Sequence, residues 1–185
     1  MIQIPNLLTF LRLGLIPLIV LVIWADWHGV AFALFVMAVV TDFLDGFLAR
    51  RWGQQSSIGQ VLDPIADKVL AAVVILLLTS EQIITGWHVV PAMVILAREV
   101  LVSGLREYLA GLAVALPVTM LAKGKTVLQF LALGLLILAP ALTQGAQAAY
   151  FTGYALLWVA AAITAFTGYA YVRAGLVHVT NGSAR

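Results

Sequence analysis

Apolar positions dominate the chain from end to end, and the polar ones are grouped rather than scattered. Between Lys125 and Arg173 lie 47 residues without a formal charge. A membrane span needs about 20 apolar residues, so this stretch predicts two membrane helices, near 124–140 and 150–172. The Pro140–Ala149 connection separates them. The first half is patterned differently. Its charge-free runs are Leu13–Ala25, Trp27–Thr41, Val69–Ser80 and Gln82–Ala97, and none supplies a full span alone. Four more helices, near 5–25, 29–51, 62–83 and 87–111, form only if charges enter the membrane zone. These are Arg12 in the first span, Asp42 and Asp45 in the second, and Asp67 and Lys68 in the third. Arg98, Glu99, Arg106 and Glu107 enter with the fourth. The pattern predicts an all-α, polytopic integral membrane protein with six transmembrane helices. They form one domain over 1–178, followed by a short polar tail at 179–185.

Composition supports that class. Hydrophobic residues make up 63% of the 185 positions, and only ten basic and eight acidic residues are present. Soluble domains carry about 25% charged residues, so an ordinary soluble globule is excluded. Disorder is excluded too, because disordered chains are poor in apolar residues. The absence of cysteine removes disulfides, thiolate metal sites and a cysteine nucleophile, and leaves the redox compartment open. A net charge of +2 and the lack of a basic-aromatic stripe argue against nucleic acid as a partner. The run after Arg12 has the look of a signal peptide. Trp24-Ala25-Asp26-Trp27 offers no small-x-small cleavage site, so we read it as a retained first span.

The positive residues set an orientation. Arg50 and Arg51, Lys123 and Lys125, and Arg173 and Arg185 fall on one side, while Asp26 and Glu81 fall on the other. The positive-inside rule then makes both termini cytoplasmic. It places the intramembrane charges in a polar cavity in the cytoplasmic half. A lipid-facing charge near the bilayer centre costs about 2.5–3.5 kcal/mol. Such residues need a cavity, a metal or each other.

The densest group lies in Asp42–Lys68, DFLDGFLARRWGQQSSIGQVLDPIADK. Asp42 and Asp45 are three apart and Asp63 and Asp67 four apart, so each pair shares a helical face. The Arg51–Val61 stretch, with Gly53, Gly59 and a Gln-Gln-Ser-Ser run, reads as a short cytoplasmic loop. The second and third spans become antiparallel neighbours with the carboxylate pairs face to face. Four carboxylates in a small volume cannot all stay ionised without cations. With no histidine or cysteine among them, they suit a hard ion, Mg²⁺ or Mn²⁺. Two such ions are a usual arrangement for displacement at phosphorus. Gly46, Ala49 and Gly59 would let a bulky ligand approach the backbone.

Blander readings compete. Asp63 before Pro64 makes a good helix N-cap. Asp42 or Asp45 could pair with Arg50 or Arg98. Aspartates also line ion pathways in membrane proteins, as in a small cation transporter or channel, although no internal repeat supports that class. His28, His88 and His178 lie far apart and suit metal poorly. Trp24, Trp27, Trp52 and Trp87 sit near helix ends, as interfacial aromatics do. Gly104, Gly111 and Gly134 suit close helix packing.

The segment resembles the CDP-alcohol phosphatidyltransferases, whose signature runs D-x2-D-G-x2-A-R-x8-G-x3-D-x3-D. All eight positions are present: Asp42, Asp45, Gly46, Ala49, Arg50, Gly59, Asp63 and Asp67. Pro5-Asn6, Thr9 and Arg12, the VLDPIADK run, AREV with LRE, and KGKT extend the resemblance over most of the chain. The resemblance implies a six-helix fold, a homodimer, and a bacterial-type inner (plasma) membrane location. It implies CDP-diacylglycerol as donor and CMP as leaving group. Asp42, Asp45, Asp63 and Asp67 would be metal ligands for two Mg²⁺ or Mn²⁺ ions, with Asp67 also the general base. Gly46, Ala49, Arg50 and Gly59 would contact CDP-diacylglycerol.

The remaining cations bear on the acceptor. Glu99, Ser103 and Arg106 share a helical face, since seven residues make nearly two turns, and Arg98 lies beside it. Lys123 and Lys125 are expected to enter from the next loop, and Arg12 lies at a similar depth. Several cations suit a phosphorylated acceptor through charge-assisted hydrogen bonds. Glycerol 3-phosphate, giving phosphatidylglycerol phosphate, fits better than free serine or a neutral alcohol; the nearest rival is the same chemistry on another acceptor, such as inositol phosphate or serine. The plainer reading has Arg98, Glu99, Arg106 and Glu107 pairing among themselves and the lysines marking topology.

Overall fold

In the computed structural model the described residues are 4–52, 57–111 and 120–182. The side chains of 4–7, 45–52, 57–61, 110, 120–123, 170 and 174–182 are outside the description. The described residues form six α-helices and no strand. They are α1 (Ile4–Trp24), α2 (His28–Trp52), α3 (Ser57–Ser80), α4 (Val89–Gly111), α5 (Met120–Leu138) and α6 (Ala146–Gly182). Short 3-10 turns, Gly86–His88 and Ala139–Ala141, precede α4 and follow α5. Among the described residues, three stretches are long and apolar enough to cross a membrane: Gly86–Leu109, Gly124–Ala141 and Ala146–Arg173. The apolar parts of α1 and α2, Leu8–Trp24 and His28–Leu44, are shorter. Many large apolar side chains face outward, Phe43, Leu76, Val100, Phe151 and Phe166 among them. Such a surface suits lipid better than water.

Contacts divide the chain into two compact units, Met1–Ile84 with Leu133–Gly153, and Thr85–Ala132 with Tyr154–Arg185. In the first unit α1 packs against both α2 and α3. Its core holds Leu15, Ile19 and Ile23 from α1, Ala31, Phe35 and Ala38 from α2, and Leu70, Val74 and Leu78 from α3. Each set recurs every three or four residues, one face of a helix. Gly134 belongs here: a Cβ at that position would lie 3.4 Å from a Phe32 ring carbon and 3.5 Å from Phe35. Among the described residues, nothing lies within 4 Å of a Cβ added at Gly104 or Gly111. The second unit buries Ala92, Ile95, Val102 and Leu109 of α4 and Leu157, Ala160 and Thr164 of α6.

Two turns share one geometry. After α1, Trp27 N–H reaches the Val22 carbonyl and Asp26 N–H the Ile23 carbonyl, with Asp26 at φ +60°. After α3, Ile83 N–H reaches the Leu78 carbonyl and Gln82 N–H the Thr79 carbonyl, with Gln82 at φ +57°. Both are Schellman closures with a non-glycine residue in the left-handed position.

Helix interiors follow the hydrophobic pattern, whereas several ends differ. Helix α2 continues to Trp52 and α3 begins at Ser57, so most of the expected Arg51–Val61 loop is helical, and 53–56 lie outside the described residues. Pro64 consequently sits inside α3, and Asp63 is not an N-cap. Lys123 and Lys125 belong to the first turns of α5 rather than to a loop. The described part of the polar tail continues α6 through Gly182.

Candidate active site

The first unit gathers part of the aspartate motif around a residue of α1. Thr9 and Arg12 are three apart and so share a face of that helix. Arg12 is fully buried, at 0% exposure. Its Nη1 lies 2.7 Å from Asp42 Oδ1 on α2 and 2.8 Å from Asp67 Oδ1 on α3. One nitrogen therefore joins carboxylates from two helices, and those two oxygens lie within two hydrogen-bond lengths of each other. Thr9, also buried, donates its hydroxyl to Asp63 Oδ1 at 2.5 Å. Asp42 and Asp67 are 31% and 33% exposed, so the carboxylates are sealed on the arginine side and open on the other. Thr41, beside Asp42, turns its hydroxyl back to the Met37 and Ala38 carbonyls.

The backbones of Asp45, Gly46, Ala49 and Arg50 lie in α2 and that of Gly59 in α3, and their side chains fall outside the described residues. Among the described residues no three histidine, aspartate or glutamate side chains form a group able to hold a metal. The donor chemistry nonetheless fits a hard cation. Two carboxylates meet at one point, a third stands one turn away on α3, and every donor is oxygen. Arg12 fills that meeting point with positive charge. Sequence reasoning placed Arg12 with the acceptor cations; its guanidinium is engaged with the aspartates. Thr9, named with Arg12 among the residues that carry the resemblance, is the hydrogen-bond donor to Asp63.

The second unit holds the opposite charge balance. On α4, Arg98 Nη1 donates to Glu99 Oε1 at 3.1 Å, and Lys125 of α5 makes a close ion pair with the same carboxylate oxygen. Lys125 is 4% exposed. Ser103 spends its hydroxyl on the Glu99 carbonyl at 2.6 Å. Arg98 and Arg106 both approach Tyr171 of α6, their guanidinium carbons 5.8 and 5.7 Å from the ring centre. Arg106 Nη2 is 3.4 Å from the Tyr171 hydroxyl, a long and weak hydrogen bond. Arg98 and Lys125 thus share one carboxylate, Glu99, and Arg106 meets Arg98 at the Tyr171 ring. The pairing expected among the α4 charges is seen for Arg98 and Glu99. Lys123 lies outside the described side chains. Sequence reasoning missed Tyr171, because one more aromatic in an apolar helix carries no signal by itself. Of the histidines, His88 stacks on Tyr154 at 3.9 Å and accepts a hydrogen bond from the Trp158 indole at 3.3 Å.

Comparison with known proteins gives a consistent result. A family profile for CDP-alcohol phosphatidyltransferase matches residues 2–166. A Rickettsia bellii protein named CDP-diacylglycerol–glycerol-3-phosphate 3-phosphatidyltransferase is 43% identical over 177 residues, covering 93% of this chain and 94% of its own. Proteins of the same name from Cereibacter sphaeroides and Escherichia coli K12 are also similar. The first is 39% identical over 96% of this chain and 97% of its own. The second is 42% identical over 93% and 94%.

Proposed function

The chain belongs to the CDP-alcohol phosphatidyltransferase family, and we propose that it transfers the phosphatidyl group of CDP-diacylglycerol to glycerol 3-phosphate. The products are phosphatidylglycerol phosphate and CMP. One observation carries this reading. Relatives named for that reaction match over more than nine-tenths of both chains, so the likeness takes in the basic cluster as well as the aspartate motif.

In the reaction, an acceptor hydroxyl oxygen bonds to the lipid-side phosphorus and the phosphorus–oxygen bond to CMP breaks. Asp67 orients that hydroxyl and takes its proton. Asp42, Asp45, Asp63 and Asp67 would hold divalent ions, Mg²⁺ or Mn²⁺, which would supply charge neutralisation for the diphosphate and the departing CMP. Arg12 and Thr9 fix the directions of Asp42, Asp67 and Asp63, which keeps the carboxylates together before substrate arrives. Gly46, Ala49, Arg50 and Gly59 line the approach of the cytidine diphosphate. Arg98, Arg106, Lys123 and Lys125 take the acceptor's phosphate, where their surplus charge makes charge-assisted hydrogen bonds. All six helices cross the membrane, with both termini and the aspartates on the cytoplasmic side by the positive-inside rule. The enzyme works as a homodimer, as the family resemblance implies.

The test is CMP release from CDP-diacylglycerol by the purified full chain, with Mg²⁺ or Mn²⁺ and a panel of acceptors. Release with glycerol 3-phosphate, well above that with inositol phosphate or serine, is the expected result. Preference for another acceptor overturns the acceptor assignment. No CMP with any acceptor overturns the enzyme reading and favours a cation pathway.

A further inference from the structure

The basic cluster has a floor that neither the family signature nor the charges on α4 and α5 supply. On α6, Thr164, Gly168 and Tyr171 are four and three residues apart, which aligns them on one face. At Gly168 an added Cβ would lie 2.8 Å from Arg98 Cγ, 3.8 Å from its Nε and 3.9 Å from its Cβ. The stem of Arg98 therefore lies directly on the α6 backbone. The first of those distances is too short for any real contact. The clashing atom is near the root of the side chain, so it cannot swing aside without carrying the guanidinium with it.

Tyr171 then sets where two guanidinium groups come to rest. Arg98 and Arg106 both lie within 6 Å of its ring centre, the range in which the ring quadrupole attracts a cation. The Arg98 side chain is 10% exposed, yet its buried Nε has no hydrogen-bond partner among the described residues. The same holds for the buried Thr164 hydroxyl, one turn before Gly168. Leaving a charged donor buried and unmatched is costly. An arginine with an unused Nε, a second arginine alongside and a lysine nearby is the arrangement that a tetrahedral oxyanion completes.

We propose that Gly168 and Tyr171 are positioning residues for the acceptor's phosphate, and that they act by holding Arg98 and Arg106 in a fixed fork on α6. This rests on reading the basic cluster as the acceptor phosphate site. Neither residue touches the reacting phosphorus. Their effect is on acceptor affinity, and it is carried by the aromatic ring and the missing Cβ. The Tyr171 hydroxyl, with its long bond, contributes little.

The experiment measures KM for glycerol 3-phosphate, KM for CDP-diacylglycerol and kcat in the purified full-length enzyme. It compares Tyr171→Leu, Tyr171→Phe and Gly168→Ala, with Arg98→Ala and Arg106→Ala alongside. Loss of the ring and intrusion of a Cβ should each raise the glycerol 3-phosphate KM about tenfold, the scale of one desolvated cation–π contact. The CDP-diacylglycerol KM should stay within about twofold, and Tyr171→Phe should restore most of the acceptor affinity. A second readout, the thermal shift given by glycerol 3-phosphate without donor, should shrink in Tyr171→Leu and Gly168→Ala and persist in Tyr171→Phe. If the arginine variants raise the acceptor KM while Tyr171→Leu and Gly168→Ala do not, the positioning role is wrong and the phosphate site stands. If the arginine variants leave it unchanged, the phosphate site itself is wrong. Equal losses in both KM values for Tyr171→Leu and Gly168→Ala, together with a lowered Tm, would mark α6 as merely structural and overturn the proposal.

Discussion

The carboxylate cluster of the first unit and the basic cluster of the second are built on the same plan with the signs reversed. In the first, Asp42 and Asp67 turn to one buried arginine, and Asp63 accepts from a hydroxyl. In the second, Arg98 and Lys125 turn to one glutamate, and Arg106 lies against an aromatic ring and makes a long bond to its hydroxyl. Among the described residues, Arg12 draws Asp42 and Asp67 together, and Glu99 draws Arg98 and Lys125 together. Buried charges that are fully paired have no need of a ligand. On the proposed reading, the sign of each cluster names its ligand class: cations for the first, a phosphate for the second.

The largest expected effect comes from the acidic side. Asp67→Asn or Asp42→Ala should cut CMP release by at least about a hundredfold, the scale of losing a group that acts at the reacting centre. Chelating divalent ions should do the same to the unaltered enzyme, with recovery on adding Mg²⁺ or Mn²⁺. Full activity in the presence of chelator would break the assignment of cations to this cluster. Next comes the basic side. Arg106→Ala should raise the glycerol 3-phosphate KM by roughly ten- to a hundredfold, as loss of a hydrogen bond to a charged group does.

Arg12→Ala should act on stability before it acts on any KM. Breaking a buried ion pair costs about 3–5 kcal/mol, and the partial exposure of Asp42 and Asp67 reduces that to roughly 2 kcal/mol. Thermal unfolding without metal should show the loss, and a divalent ion should restore part of it by neutralising the same carboxylates. If Arg12→Ala keeps its Tm and instead weakens glycerol 3-phosphate binding, Arg12 belongs with the acceptor cations. The smallest effect lies away from both clusters. Gln82 holds φ +57° without the freedom of glycine. Gln82→Gly should therefore stabilise the protein by about 0.5–1 kcal/mol with activity unchanged, as left-handed strain is relieved and backbone freedom partly offsets the gain.

What could be read from the chain follows from where the cost of a mistake is local. A carboxylate inside an apolar helix is expensive wherever that helix packs, so Asp42, Asp63 and Asp67 were visible from spacing alone. The partner of Asp42 and Asp67 was not. Arg12 is 55 residues from Asp67, and only the packing of α1 against both α2 and α3 brings them together. Tyr171 was hidden for the same reason, being 65 residues from Arg106. The interiors of the two spans in the charge-free stretch were legible because nothing in them competes with a helix. Their ends were not, because Lys123, Lys125 and the polar residues to Gly182 are tolerated in helix just as they are in loops. Around Pro64, local preference pointed to a helix start, and the helix begins two turns earlier. Proline costs a backbone hydrogen bond inside a helix, and here the surrounding helix accepts that cost.

The division of labour between the clusters is tested most directly by one kinetic grid. Initial rates of CMP release are measured over crossed concentrations of CDP-diacylglycerol and glycerol 3-phosphate, for the unaltered enzyme and for Arg106→Ala. The account predicts that the glycerol 3-phosphate KM rises at least about tenfold while the CDP-diacylglycerol KM stays where it was. A glycerol 3-phosphate KM that does not move, or a loss that falls on the donor, would contradict it.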